Sequence, residues 1–176
     1  MQNSNLLRLG AALLMVTVAM GTTARLSAAT TLTATTLRAV KVVRETASTS
    51  TSNTSWTWVP GAEVWVTIPG NTTDTFVVRF SAESVCAGSA GWCPVRILLY
   101  GNEMEPAVGT DFAFDSSDAG TASPQGWKAH SMERSITFNN TFAVADTVLI
   151  QVQYMTTNAG MTFRLDDWHL TVEQYH

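Results

Sequence analysis

Charge is scarce in this chain, and cysteine is scarcer. Only 14% of its 176 residues are Asp, Glu, Lys or Arg, with ten basic side chains against fourteen acidic ones. The resulting formal charge of −4 opposes nucleic acid, which needs a dense positive surface, and offers anionic lipid no attraction. With so few charges, Thr, Ser, Asn and Gln must keep the surface wet. Two cysteines, Cys86 and Cys93, allow one bridge at most. Their spacing is wrong for a CxxC redox pair, and no zinc partners lie nearby. The chain has no phosphate loop, dinucleotide fingerprint, HExxH motif or Gly-x-Ser-x-Gly elbow. Beyond residue 29 there is no helical periodicity, and no second apolar run approaches membrane-spanning length.

The one apolar run present is Leu9 to Met20, behind a polar start that carries Arg8. Its length suits the core of a secretory leader and falls short of a bilayer span. Small residues place cleavage after Gly21, Ala24 or Ala29; the alternatives are an uncleaved anchor or a buried helix. Loss of residues 1–29 removes Arg8 and Arg25 and no acid, leaving eight basic residues against 14 acidic. No cysteine precedes Cys86, so an N-terminal lipidated cysteine is excluded. The expected organisation is a leader at 1–29, a Thr/Ser-rich segment with one edge strand at 30–55, and a β-domain at 56–176. Once the leader is gone no membrane insertion is expected. The protein is released, or is held at a surface by contacts.

The central stretch is Asp74 to Tyr100. Phe76, Val78, Phe80 and Ala82 alternate with Thr75, Val77, Arg79 and Ser81, the period of a half-buried strand. Val95, Ile97 and Leu99 repeat the pattern, and Cys86 and Cys93 bracket the flexible connection between the two strands. Exported chains oxidise such pairs, so a disulfide is expected here. Leu37–Glu45 reads as an edge strand whose Arg38, Lys41 and Arg44 discourage pairing with other molecules. Thr46–Ser55 reads as a loop, Trp56–Val59 as a short strand, and Pro60-Gly61 as a turn. A strand follows with Ala62, Val64, Val66 and Ile68 inward and Glu63, Trp65 and Thr67 outward. Gly101–Gly109 reads as a loop, Phe112 and Phe114 define a further short strand, and Asp115–Gly126 a polar loop. Trp127–Phe138 and Thr147–Met155 alternate again. Met161–Tyr175 alternates with a slip of parity: Phe163 and Leu165 follow one phase, Trp168, Leu170 and Val172 the other. An extra residue at Asp166-Asp167, a β-bulge, would restore one apolar face. Eight or nine strands at such spacing imply an all-β fold, an antiparallel β-sandwich of jelly-roll type.

Four segments carry a resemblance. Trp58-Val59-Pro60-Gly61-Ala62, Val78-Arg79-Phe80-Ser81-Ala82-Glu83, Cys86 with Cys93-Pro94-Val95-Arg96-Ile97, and Phe163-Arg164-Leu165-Asp166-Asp167-Trp168 together resemble a group of exported bacterial β-sandwich proteins of unassigned activity. The layout is more distantly similar to the jelly-roll heads of tumour-necrosis-factor-like and complement-like proteins, which assemble as trimers. The resemblance implies a fold and a compartment, and supplies no catalytic residues.

Residues that could carry chemistry fall into four sets. Asp111, Asp115 and Asp118 offer hard oxygen ligands for calcium, without the order of a dedicated calcium loop; the alternative is turn residues bonding their own backbone. Asp166, Asp167 and His169 converge only if the bulge forms, and the alternative for the two carboxylates is cross-strand pairing with Arg164, Arg96 or Arg79. His130 beside Ser131 raises a nucleophilic arrangement that no motif supports. Tryptophan is the most distinctive element, with six in the chain: Trp56, Trp58, Trp65, Trp92, Trp127 and Trp168. Trp168 fits a core phase. Trp65, Trp92 and Trp127 are the candidate ligand contacts, since an indole beside polar neighbours stacks on sugar rings and anchors protein interfaces. Three sequons, at Asn53, Asn71 and Asn139, matter only in a host that glycosylates them. The expected function is that of a secreted, extracellular, non-catalytic binding domain for a glycan or an extracellular protein. The alternatives are a self-associating homo-oligomer at a cell surface or envelope, and a hydrolase.

Overall fold

Residues 31–107, 113–117 and 126–176 are described by the computed structural model. The expected leader at 1–29 lies outside them, as do Phe112, Asp111 and Asp118. Among the described residues eleven strands follow one another: β1 (Leu37–Glu45), β2 (Thr49–Thr51), β3 (Thr57–Ile68), β4 (Thr72–Gly88), β5 (Gly91–Cys93), β6 (Val95–Leu99), β7 (Asn102–Glu103), β8 (Asp115–Ser117), β9 (Lys128–Asn140), β10 (Asp146–Tyr154) and β11 (Met161–Tyr175). Every pairing is antiparallel.

The strands sort into two main sheets. One runs β1-β11-β4-β9, with β2 added beside β11; the other runs β3-β10-β6-β7, and β5 and β8 form a small ribbon. Strands β3, β4, β6, β9, β10 and β11 alternate between the two sheets, which is the jelly-roll connection expected from the sequence. Phe76, Val78, Phe80, Leu170 and Val172 on one sheet, and Val64, Val66, Ile97, Leu99, Val148 and Ile150 on the other, make a single buried cluster. These are the inward phases of the period-two pattern, because alternate side chains on a strand leave opposite faces.

Cys86 and Cys93 are bonded, with Cα atoms 5.9 Å apart. Closing so short a loop contributes about 2–3 kcal/mol through the unfolded chain. The bridge also suits an oxidising compartment.

The expected bulge at Asp166-Asp167 is present. Asp166 pairs with Glu83 and His169 with Ser81, so Asp167 and Trp168 together face one residue of β4, and Asp167 adopts φ 44°. Leu165 and Trp168 are thereby both buried despite their odd separation.

Four expectations are corrected. Pro60-Gly61 does not end a strand: β3 continues through it, and a second bulge lies there, opposite the Gln151–Gln153 step of β10. Gly61 holds φ 75°, and a Cβ on it would lie 3.6 Å from Trp168 Cζ2, an ordinary contact. Gly61→Ala is therefore expected to cost about 1–2 kcal/mol from the backbone alone, seen as a lower urea midpoint at unchanged slope. Thr46–Ser55 is not all loop, since Thr49–Thr51 pairs with Leu165–Phe163 and Thr51 is buried. Polar residues can do this because the ladder satisfies their backbone and Thr suits a pleated surface. Asp115–Ser117, read as loop, is the strand that pairs with β5, while Phe114 precedes it in the core. Finally, Asn102–Glu103, read as loop, forms a short edge strand on β6, which helps bring the total above eight or nine.

Candidate functional site

The outward face of the four-stranded sheet carries two exposed tryptophans, Trp58 and Trp65. On β3 the inward residues Val59, Ala62, Val64 and Val66 are buried, which leaves Trp58 and Trp65 to the outside at 49% and 57% exposure. Their partners on β10, Leu149 and Gln153, are four residues apart, which at about 3.3 Å per residue sets the two tryptophans roughly 13 Å apart along the sheet. The face between and beside them is polar and ordered. Gln151 Nε2 donates to Glu63 Oε2 at 3.1 Å, one step along the ladder from Trp65 and its partner Leu149. Opposite Trp58, Gln153 accepts from Arg96 Nε at 2.7 Å. The Arg96 guanidinium lies 4.4 Å from the centre of the Trp56 ring, and its Nη1 is 3.6 Å from Glu103. Lys41 of β1 donates through Nζ to the Trp65 carbonyl at 2.6 Å, clamping the edge of β3 where that indole stands. Tyr100, just past β6, is exposed and bonds its N–H to the Leu149 carbonyl.

The other two tryptophans of the expected trio stand elsewhere. Trp127 precedes β9 in the outward phase of the five-stranded sheet, and the Arg164 guanidinium sits 5.0 Å from its ring centre. Val85, which pairs with Arg164, is buried there yet is not part of the core cluster. Trp92 belongs to the β5–β8 ribbon, where its N–H and carbonyl both bond Thr157 Oγ1. The three therefore occupy three different surfaces. Trp58 was missed as a candidate because the supposed turn at Pro60-Gly61 separated it from Trp65; the shared outward phase across a bulge was the available signal.

The acidic sets resolve differently. Asp115 is buried, and its carboxylate accepts from Ser84 Oγ at 2.7 Å and from the Ser116 N–H at 2.7 Å. His130 Nε2 is 3.7 Å from the same carboxylate and Lys128 Nζ 4.0 Å. The Phe114 ring packs 5.5 Å from the imidazole. The structure thus gathers a serine, an aspartate and a histidine, but the carboxylate stands between the other two. A Ser-His-Asp triad needs the imidazole between them to take the serine proton, so this cluster lacks that order and ties β8 to β4 and β9. Ser131, the neighbour read beside His130, faces out while His130 faces in.

Asp166, Asp167 and His169 do not converge. Asp166 Oδ1 accepts from the Asp167 N–H at 3.0 Å, and among the described residues no ion pair joins these three to one another. Nor do the arginines expected across the strands reach them, since Arg79 pairs with Glu133 at 2.7 Å and Arg96 and Arg164 are engaged as described. Among the described residues no group of three or more His, Cys, Asp or Glu is placed to hold a metal ion.

At the opposite end of β4, the fully buried Asp74 faces Arg38 at 3.1 Å and His176 at 3.4 Å and accepts from Gln174. Burial lowers the pKa of Arg134, and the nearby Glu103 opposes that shift. The Tyr175 phenol, donating to Glu173, is raised above the usual tyrosine range. Among the described residues no helix is long and apolar enough to cross a membrane.

No family model and no curated protein matches this chain. Among solved structures it is similar to dimeric latent PorU from Porphyromonas gingivalis, at 13% identity and a TM-score of 0.39, over 82% of this chain and 14% of that one. It is similar also to the infectious bursal disease virus Gx strain structure, at 11% identity and a TM-score of 0.33, over 84% of this chain and 40% of the other. Both likenesses are distant and concern the all-β fold alone.

Proposed function

We propose that this chain is an exported, non-catalytic binding domain that takes an extended glycan along the outward face of the four-stranded sheet. The observation that carries the reading is the pair Trp58 and Trp65, both exposed on one strand with hydrogen-bonding Glu63, Gln151, Gln153 and Arg96 on the face they share. Indole faces supply apolar stacking surface, and the side chains already ordered around them supply partners for sugar hydroxyls without a large loss of rotamer freedom. The disulfide agrees with an extracellular setting.

Titration with a panel of oligosaccharides, followed by tryptophan fluorescence and calorimetry, tests the reading. Trp58→Ala and Trp65→Ala are each expected to weaken the responding glycan about tenfold, the scale of one lost stacking contact. Trp92→Ala and Trp127→Ala, on other surfaces, should leave it within about twofold. A flat response to every sugar defeats the proposal.

A second reading, self-association, is favoured by Leu37, Val40 and Val42, which are exposed on the edge strand β1. Sedimentation separates the two, since a strict monomer at high concentration removes this one.

A further inference from the structure

The face that carries Trp58 and Trp65 is charged at its middle, and with one sign. The register of β3 on β10 sets Trp65 against Leu149, Glu63 against Gln151 and Trp58 against Gln153. Glu63 therefore stands midway between the two indoles, about 7 Å from either along the sheet. It is exposed, and its Oε2 accepts from Gln151 Nε2 at 3.1 Å. Among the described residues no ion pair includes it. The charged side chains of the four strands are Glu63, Arg96, Glu103 and Asp146, which is three acids against one base. That base is committed. Arg96 donates through Nε to Gln153 at 2.7 Å, has Nη1 3.6 Å from Glu103, and lies over the Trp56 ring. Lys41, which reaches the sheet from β1, has its Nζ on the Trp65 carbonyl. An anion without a cationic partner thus sits where any ligand bridging the two tryptophans must pass.

A sugar chain offers a protein C–H faces that stack on indole and hydroxyl edges that hydrogen-bond. We propose, resting on the glycan reading above, that the ligand is an uncharged chain of at least three sugars and that Glu63 is the residue that rejects acidic ones. Two sugars stack on Trp65 and Trp58. A hydroxyl of the sugar between them donates to the Glu63 carboxylate, which Gln151 holds in place, and hydrogen bonds to a charged acceptor are the strong ones. A uronate or sulfate on that same bridging sugar brings like charge against the carboxylate, with Arg96 and Lys41 already engaged. Like charges meeting across an interface cost affinity and select against the wrong partner. Because Glu63 is exposed, the penalty is screened in part and weakens as salt rises. The spacing of the indoles sets the length. A pyranose unit advances about 5 Å, the reach of a few single bonds, so a disaccharide cannot cover both rings.

Calorimetric titration tests this with β-(1→4)-linked tetramers of glucose, mannose and galactose, each beside its counterpart oxidised at C6 to the uronate. At least one neutral tetramer is expected to bind, about tenfold or more tighter than its own dimer and than its uronate. Raising the salt should narrow the gap to the uronate and leave the gap to the dimer within about twofold. Trp58→Ala should erase the gain from dimer to tetramer. Glu63→Gln keeps the size of the side chain and an oxygen for Gln151, and it should bring the neutral-to-uronate ratio within about threefold. The ratio is the readout, whatever the substitution does to the neutral chain's own affinity, and far-UV circular dichroism checks that the variant is folded. A uronate that binds as tightly as its neutral counterpart, or a ratio that Glu63→Gln leaves unchanged, overturns the inference while the glycan reading stands. A dimer that binds as tightly as the tetramer overturns the bridging of the two indoles in the same way. Silence toward every tetramer defeats the inference together with the reading it rests on.

Discussion

Trp168→Ala is expected to destabilise the sandwich by about 3–5 kcal/mol, the range for truncating a fully buried aromatic. Trp168 is 1% exposed, packs 6.2 Å from the Phe80 ring, and stands against the backbone of Gly61 in the opposite sheet. Each of the two irregular strands thus meets the other through this one side chain: the bulge on β11 turns it inward, and the bulge on β3 leaves room for it. Truncation leaves a void that neither backbone can close, because both are tied into ladders on either side. Urea denaturation followed by far-UV circular dichroism reads the change as a lower midpoint. Deletion of Asp167 should cost far less: without the extra residue Trp168 stands two positions after Leu165, in the same inward phase, so a regular strand keeps both apolar sets buried. A Trp168→Ala protein that melts within about 1 kcal/mol of the parent would show that the core reorganises around the site, against the close packing described.

The second large effect is expected from Asn140→Ala. One carboxamide serves the carbonyls of Ile68, Pro69 and Val144 and the Phe142 amide, and its removal leaves them without partners in a region where Ile68 is buried. A loss of about 2–4 kcal/mol follows, since a buried unpaired polar group costs about 1–3 kcal/mol and water can reach only the outer members of this set. Asn140→Asp should not rescue it, because a carboxylate accepts from Phe142 but cannot donate to the three carbonyls. Thermal melting measures the stability, and hydrogen exchange at the Phe142 amide should quicken beyond the global change.

The features that local pattern encodes were legible before any coordinates. Phe76, Val78 and Phe80 declare an inward face because a strand repeats every two residues, and the parity slip between Leu165 and Trp168 could be resolved only by an inserted residue. The Cys86–Cys93 pair and the alternation of Val148, Ile150 and Val152 belong to the same class. Pro60-Gly61 misled because its dihedral preference is local: the left-handed glycine was right, but whether the strand stops or merely bends depends on the partner it pairs with. Thr49–Thr51 misled in the opposite direction, since nothing in Thr-Ser-Thr announces that β11 lies beside it with hydrogen bonds to fill.

The candidate surfaces divide along the same line. From the order of residues alone came the all-β class, the inward and outward phases of each strand, the sulfur bridge, and the exposure of Trp65. Tertiary structure decided that Trp58 joins Trp65 while Trp92 and Trp127 stand on other surfaces, that Asp115 sits between Ser84 and His130, and that Asn140 ties two turns into one tip. The physical reason is that a strand's sequence specifies which way its side chains point, whereas neighbours on a face are supplied by other strands. In the four-stranded sheet, Trp58, Gln153 and Arg96 come from positions far apart in the chain and meet only through the pairing of β3, β10 and β6.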